Sequence, residues 1–420
     1  MKLTKEQEDI LNGKEGEFKQ GLMRLLVDWG TAMKAERMVP VTNVQPNNLN
    51  IPGSNLADTY KSLDDIMAGV LDQCSYCAKV KATTHISTCN IELPGLDSKI
   101  PAYAKKMIDA TRPNGLVLTW SCTPYLISNV PMPGERCCWT ESHAVIFINS
   151  MLGARSTRNG AESSYAAAIL GIAPEFGVML DEGRKGNLII DIQTELEDPI
   201  EWGALGYFIG KKADLRIPVI TGGHPISIEA AQQLCSAMAS SGGVTMFHMV
   251  GVTPEARTLK DAVGDVIPEE RYVFGKKELE ETIESLREFH DEKVDFVYLG
   301  CPHTTLYKIA KISQMLEGKK IHKDVYFELY TQYGIRENAR RLGYIDVIEK
   351  AGGKVYVDTC SCNMDYLNNR TMLTDSVKQA HYARGTINSR AALETTENCV
   401  KAAIAVSYTH LRAHETVLDL

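Results

Sequence analysis

The chain has 420 residues, 44% hydrophobic and 23% charged, an ordinary globular composition that suits two or three packed lobes and excludes a disordered chain or a small disulfide scaffold. With 45 Lys and Arg against 53 Asp and Glu, the formal net charge is −8; no broad cationic field is present to hold a phosphate backbone, which argues against a nucleic-acid partner. The N-terminus, MKLTKEQEDILNGKEG, lacks an apolar signal core, and no apolar run reaches the roughly 18 residues that cross a bilayer, so a cytoplasmic protein with no membrane partner is expected.

From Thr4 to about Met38, a Thr4/Gln7 capping-box spacing leads into Ile10, Leu11, Phe18, Leu22, Leu25 and Leu26 at helical intervals. Residues 39–55 are rich in Pro, Asn and Gly and predict a loop suited to backbone contacts with a ligand. From Leu116 onward, apolar runs (LVLTW, AVIFIN, NLIIDI, IPVIT, VTMFHMV, VDFVYLG, VYFELY, KVYVD) alternate with helical patterns at 161–170, 226–239, 277–289, 306–316 and 336–350. This βα alternation predicts an α/β protein of layered, mostly parallel sheets in two or three lobes. The expected divisions are a helical arm and loop over 1–65, an α/β lobe over 66–198, and a second α/β region over 199–405. The boundary falls in the acidic, proline-containing stretch Glu195 to Pro199. The closing SYTHLRAHETVLDL, 407–420, breaks from the preceding helix pattern and resembles a sequence that recurs at the ends of unrelated translated reading frames; a non-native tail is expected there.

Eleven cysteines, an odd number in a long chain with no export signal, point to metal, cluster or catalytic uses rather than a disulfide framework. Three apolar runs lead into a cysteine followed by small, polar or proline residues: LVLTWSCTPYL at Cys122, FVYLGCPHTT at Cys301 and VYVDTCSC at Cys360. Ligands of open α/β sheets gather outside the carboxyl ends of strands, where cysteines from separate strands can converge. Three thiolates without a fourth suit an iron–sulfur cluster whose remaining iron can meet a substrate oxygen. Buried packing cysteines and a zinc hydrolase with cysteine ligands are the competing readings. Cys74 and Cys77 form a lone CSYC and, like Cys89, Cys137, Cys138 and Cys235, default to packing. P-loop, GxSxG and HExxH motifs are absent.

CTPYL at 122–126, ESHAVIFINSMLGARSTRNG at 141–160, GVTPEA at 251–256, GCPH at 300–303 and TDSVKQAHY at 374–382 together resemble the aconitase X family, in order and over nearly the whole chain to about residue 404. The resemblance implies an aconitase-superfamily-like fold and a hydro-lyase that removes water from a hydroxy acid with an iron–sulfur cluster, 4Fe-4S and isolable as 3Fe-4S. Family members include a one-chain form acting on cis-3-hydroxy-L-proline and a two-chain form acting on mevalonate 5-phosphate. This chain resembles the large subunit of the latter, which implies a separate small swivelling-domain subunit. Cluster ligation falls by motif on Cys122, Cys301 and Cys360, with Cys399 in reserve and Cys362 a competitor in CSC.

Removal of water beside a carboxylate needs a base, stabilisation of enolate-like charge and help for the leaving hydroxide. Ser376 and Lys378 are candidates for base and anion anchor, since a hydroxyl beside a cation gains basicity in a dry pocket; a solvated helix start explains them as well. His303 suits a hydrogen bond to a cluster sulfur or the substrate, or a helix cap. Arg155 and Arg158 offer planar donors to an anion, or surface ion pairs. Glu141 and Ser142, with Asn149 and Ser150, flank AVIFI; read as a strand, period two sends members of each pair to opposite faces. Gly53, Ser54 and Asn55 match the family's substrate loop, or make a tight turn. Asn90 lies in a substrate motif where Ile91 replaces the proline of the family pattern. Departures from that pattern also fall at His143, Asp375 and Thr305, so the substrate stays open, and a catalytically altered paralogue serving as a binding subunit is the alternative.

Overall fold

The structure is a computed structural model that describes residues 1–46, 77–83, 115–127, 129–290, 292–360 and 367–405. The arm at the start is helical, but as two helices, Lys5–Leu11 and Glu17–Ala32. Thr4 and Gln7 form the expected capping box. The break falls where Gly13 and Gly16 adopt φ of +83° and +94°, conformations that only glycine enters readily.

Strands β1 (Met38–Pro40), β2 (Asn43–Gln45), β3 (Lys81–Thr83), β4 (Leu116–Val117), β5 (Arg136–Trp139), β6 (Arg155–Arg158) and β7 (Ile172–Pro174) follow. Five of them form a parallel sheet in the order β4-β3-β2-β5-β6, while β1 and β7 pair antiparallel beside it. The buried Glu175 accepts from Arg37 at 2.6 Å and Arg136 at 2.9 Å, so one carboxylate ties the arm to this sheet. A second parallel sheet, β10-β9-β8-β11, is built from β8 (Leu188–Ile192), β9 (Pro218–Thr221), β10 (His248–Met249) and β11 (Arg271–Phe274). The third, β14-β13-β12-β15-β16, contains β12 (Phe296–Leu299), β13 (Tyr326–Thr331), β14 (Lys354–Val357), β15 (Thr371–Thr374) and β16 (Arg390–Leu393). The α/β class and its parallel sheets are thus as expected. No helix among the described residues is long and apolar enough to cross a membrane.

The expected strand AVIFIN is instead part of a helix, Ser142–Met151. Every residue from His143 to Ser150 is buried, because the helix packs with the first sheet on one side and helix Ile228–Ser241 on the other. A helix buried all round shows no polar stripe, and a short apolar run then reads as a strand. The pattern at 336–350 likewise resolves into two helices, Tyr333–Arg341 and Tyr344–Ala351, separated at Gly343 with φ +80°.

Helices Pro199–Ala213 and Ile228–Ser241 approach closely along a glycine face. A Cβ on Gly206 would lie 2.3 Å from the Leu234 carbonyl oxygen, and one on Gly210 would lie 2.0 Å from Ser241 Oγ. This pair, with helix Ser142–Met151, forms the apolar core between the first two sheets. Separate cores cover the faces of the third sheet, one of them beneath helix Val377–Ile387.

Candidate active site

In the third sheet the chain runs outward from β12 through β13 to β14 and then returns to β15 on the other side of β12. The loops leaving β12 and β15 therefore diverge, and a crevice opens at their carboxyl ends. The first sheet repeats this topology, with β2 beside β5 at its reversal. Cys301 follows β12, Ser376 and Lys378 follow β15, and Glu141 follows β5. Gln45, the last residue of β2, donates to the Ser121 carbonyl at 3.0 Å and accepts from the Glu141 amide at 3.4 Å, which links the loops of the first sheet.

His303 joins the three cysteine loops. Its main-chain N–H donates to Cys122 Sγ at 3.4 Å, its Nδ1 lies 3.2 Å from Ser121 Oγ, and its Nε2 lies 2.9 Å from the Thr359 carbonyl. Because a carbonyl only accepts, Nε2 carries the proton and Nδ1 receives the serine hydroxyl in the neutral ring. Cys122, Cys301 and Cys360 are all thiols. Tyr298 OH lies 3.9 Å from Cys360 Sγ, and the Ser376 hydroxyl lies near enough to Cys301 to favour its ionised form. Cys301 interacts electrostatically with Cys360, and Cys122 with Cys301. Burial pushes the Cys301 thiol up to about 12, against the pull of the Lys378 ammonium and the nearby Ser376 hydroxyl. Burial, reinforced by Glu141, raises Cys122 as well, although the His303 N–H opposes it.

Lys378 Nζ donates to Glu141 Oε1 at 2.8 Å, across 237 positions of sequence. The same oxygen meets His143 Nδ1 at 2.7 Å. Burial works to lower the Lys378 pKa, but the Glu141 carboxylate and the nearby Cys301 outweigh it, so the ammonium is held charged. Ser376 caps helix Val377–Ile387 by accepting from the Gln379 amide at 3.1 Å. Ser376, Lys378, His303, Glu141 and the three cysteines therefore belong to one cluster.

Of the other expected residues, Arg158 donates to the Gly242 and Ala239 carbonyls at the end of helix Ile228–Ser241 and also feels the Glu141 carboxylate, so it borders the cluster, whereas Arg155 donates to Met179 O and Asp181. They begin and end the four-residue strand β6, and their guanidinium groups are engaged in fold contacts. Ser142 is the first residue of its helix, next to the site. The helix replaces the strand alternation expected for Asn149 and Ser150: Asn149 bonds Ser156 and Thr245 backbone, and Ser150 accepts from the Phe247 amide. Cys399 packs in a core of the third sheet, with its thiol against the Glu394 carbonyl at 3.8 Å. Cys137, Cys138 and Cys235 are core residues, as expected. Gly53, Ser54, Asn55, Asn90, Cys74, Cys89 and Cys362 lie outside the described residues. Ser121, Thr359, Gln233 and the glutamate contact of His143 had no signal in the sequence. Gln233 donates to the Cys301 carbonyl at 3.3 Å from a helix whose pattern reads as core.

Among the described residues, no three of His, Cys, Asp and Glu stand where they could hold a single metal ion. A cluster distributes its thiolates over several irons and asks for wider spacing, which suits three cysteines on separate loops.

Family models for the aconitase X first, second and third domains match residues 1–182, 186–284 and 294–405, so one of the described parallel sheets falls in each. The phosphomevalonate dehydratase large subunit of Methanocaldococcus jannaschii is 35% identical over 91% of this chain and 95% of that protein. That of Methanothermobacter thermautotrophicus is 34% identical over 95% and 98%. Cis-3-hydroxy-L-proline dehydratase of Pseudomonas aeruginosa is 26% identical over 94% of this chain and 68% of that longer protein. The crystal structure of Thermococcus kodakaraensis aconitase X in its holo form aligns with a TM-score of 0.83 and 29% identity, covering 96% of this chain and 100% of that one. The chain belongs to the aconitase X family, and it is a dehydratase.

Proposed function

We propose that this chain is the large, catalytic subunit of a two-chain cytoplasmic hydro-lyase that dehydrates mevalonate 5-phosphate or a related anionic hydroxy acid. Cys122, Cys301 and Cys360 would hold an iron–sulfur cluster, and a separate small subunit would complete the enzyme. The observation that carries this reading is the convergence of the cysteine loops with Lys378, Ser376 and Glu141 at the carboxyl ends of two sheets. The names of the relatives matched over nearly their full length support both the substrate and the two-chain form.

When bound, the cluster supplies Lewis acidity toward the departing hydroxyl. The protein side of the reaction rests on three groups. Lys378, held charged, faces the substrate carboxylate and balances the negative charge that builds there as the neighbouring carbon loses its proton. Ser376 Oγ, buried beside Cys301 and close to that cation, would act as the alkoxide, which the ammonium favours, and return to the hydroxyl on receiving the proton. His303 sets the spacing of the three cysteine loops through its contacts to Ser121, Cys122 and Thr359.

The test is anaerobic co-purification with the small subunit, followed by iron and sulfide analysis. Mevalonate 5-phosphate is then assayed against a panel of 3-hydroxy acids that includes cis-3-hydroxy-L-proline. An iron- and sulfide-containing complex that turns over the phosphorylated substrate best is the expected result. A complex without iron or sulfide, or one that prefers hydroxyproline, would overturn the corresponding part of the proposal; zinc without sulfide would favour a hydrolase instead.

A further inference from the structure

Glu141 is the N-cap residue of helix Ser142–Met151, yet its side chain makes no capping hydrogen bond to that helix. It points across the sheet boundary, and its Oε1 takes Lys378 Nζ at 2.8 Å and His143 Nδ1 at 2.7 Å. Glutamate and lysine are long, flexible side chains, and an ion pair between them alone samples many geometries. The imidazole does not share that freedom. His143 is 1% exposed and meets the Tyr125 ring edge-on with centroids 6.5 Å apart. Tyr125 in turn stacks on Phe147 at 3.9 Å and 6°. Phe147 sits one helical turn beyond His143, and Tyr125 is three residues beyond Cys122. A packed aromatic stack thus fixes the imidazole, the imidazole fixes the carboxylate, and the carboxylate fixes the ammonium beside the cysteines.

From this chain of contacts we infer that His143 is a positioning residue for the dehydration, one that holds Lys378 in place through Glu141 without touching substrate. The inference rests on the reading of Lys378 as the group that faces the substrate carboxylate. Misplacing a reacting or charge-stabilising group by about 1 Å costs on the order of 100-fold in rate. Tyr125 and Phe147 wall in whichever side chain stands at position 143, and the nitrogen that it presents to Glu141 is the part that holds the carboxylate.

The test compares His143→Asn with His143→Phe in the assembled, cluster-loaded complex. The asparagine amide nitrogen can take the place of Nδ1 but gives up the ring; phenylalanine keeps the ring and gives up the donor. Expected are kcat within about 5-fold of the parent for His143→Asn and a loss of about 100-fold for His143→Phe, with iron and sulfide content unchanged in both. A merely structural role predicts the reverse ranking, and that ranking overturns the inference. Should the parent complex turn over no hydroxy acid, the functional reading fails on its own. The positioning claim is then decided by thermal midpoints of His143→Phe, Lys378→Met and the double variant. Non-additive shifts support coupling through Glu141, and additive shifts overturn it.

Discussion

The Lys378–Glu141 pair joins the first and third sheets, and a double-mutant cycle measures what it contributes. At 2.8 Å and an effective dielectric of about 20, the attraction is about 6 kcal/mol before desolvation is charged against it. The side chains are only 20% and 9% exposed, so desolvation removes much of that gain. Breaking one partner of such a pair costs about 3–5 kcal/mol, mostly because a buried charge is left behind. His143 still donates to Glu141 when the lysine is gone, which places Lys378→Met near the lower end. At about 2–4 °C per kcal/mol for a cooperative unit of roughly 150–250 residues, the midpoint should fall by about 6–12 °C. The double variant Glu141→Gln, Lys378→Met leaves neither charge and should fall by less than the two single losses added together. The sign with pH follows from Lys378, whose folded pKa lies above its ordinary 10.5. Its contribution is fully present below that value and is lost only as pH rises through the higher folded value, so the midpoint difference should be flat between pH 6 and 9. Calorimetry or circular dichroism melting of the parent, both single variants and the double variant provides the data. Additive losses would show that the two charges do not interact, and the site would lose the bridge on which its geometry depends.

Gly206→Ala should destabilise by at least about 1–3 kcal/mol, since its Cβ would fall 2.3 Å from a backbone oxygen that cannot swing away; an unchanged midpoint would contradict the close helix contact. Glu175 has its pKa lowered because Arg37 and Arg136 outweigh the burial that works to raise it. Its stabilisation is therefore present above its ordinary 4.5 and lost as pH falls through the lower folded value. Glu175→Gln should cost about 1 kcal/mol at pH 7, allowing for the exposed arginines, and a midpoint gap that persists undiminished in acid would rule this out. Cys122→Ser, Cys301→Ser and Cys360→Ser should each remove iron, sulfide and activity, whereas Cys399→Ser should retain them. Equal losses across all four would remove the distinction between the site and the core.

The parallel α/β class was readable because buried parallel strands are apolar on both faces, as LIIDI and FVYL are. The strands missed carry little of that signal. RSTR in β6 is polar, and KAT in β3 is three residues long; neither stands out from loop sequence. AVIFI failed for the opposite cause, since burial on all sides erased the helical period. That error mattered for the site. A strand sends Glu141 and His143 to the same face by period two, but only the helix start explains how a carboxylate at the cap position meets the imidazole at 2.7 Å. The two arginines of LGARSTR divide: Arg155 turns to Met179 O and Asp181, while Arg158 meets the carbonyl end of a helix more than 80 positions away and also feels the Glu141 carboxylate, partners that local sequence does not reveal.

The cysteines were legible for a reason that generalises. Each follows an apolar run, and in a parallel sheet all strand ends of one sense lie on one edge, so residues just past them share a neighbourhood whatever their separation in sequence. What the runs do not reveal is that two separate sheets have the same strand order and turn their reversals toward one another. That arrangement places Glu141, from the reversal in the first sheet, against Lys378, from the reversal in the third, and lets His303 reach loops from both. A site assembled this way has its ammonium and hydroxyl together after β15, its carboxylate after β5 and its thiols on three further loops, each following a strand. A shift of one sheet against the other would disturb all of them together, which is why the contacts that bridge the sheets, rather than the cysteines alone, set how well the site is organised.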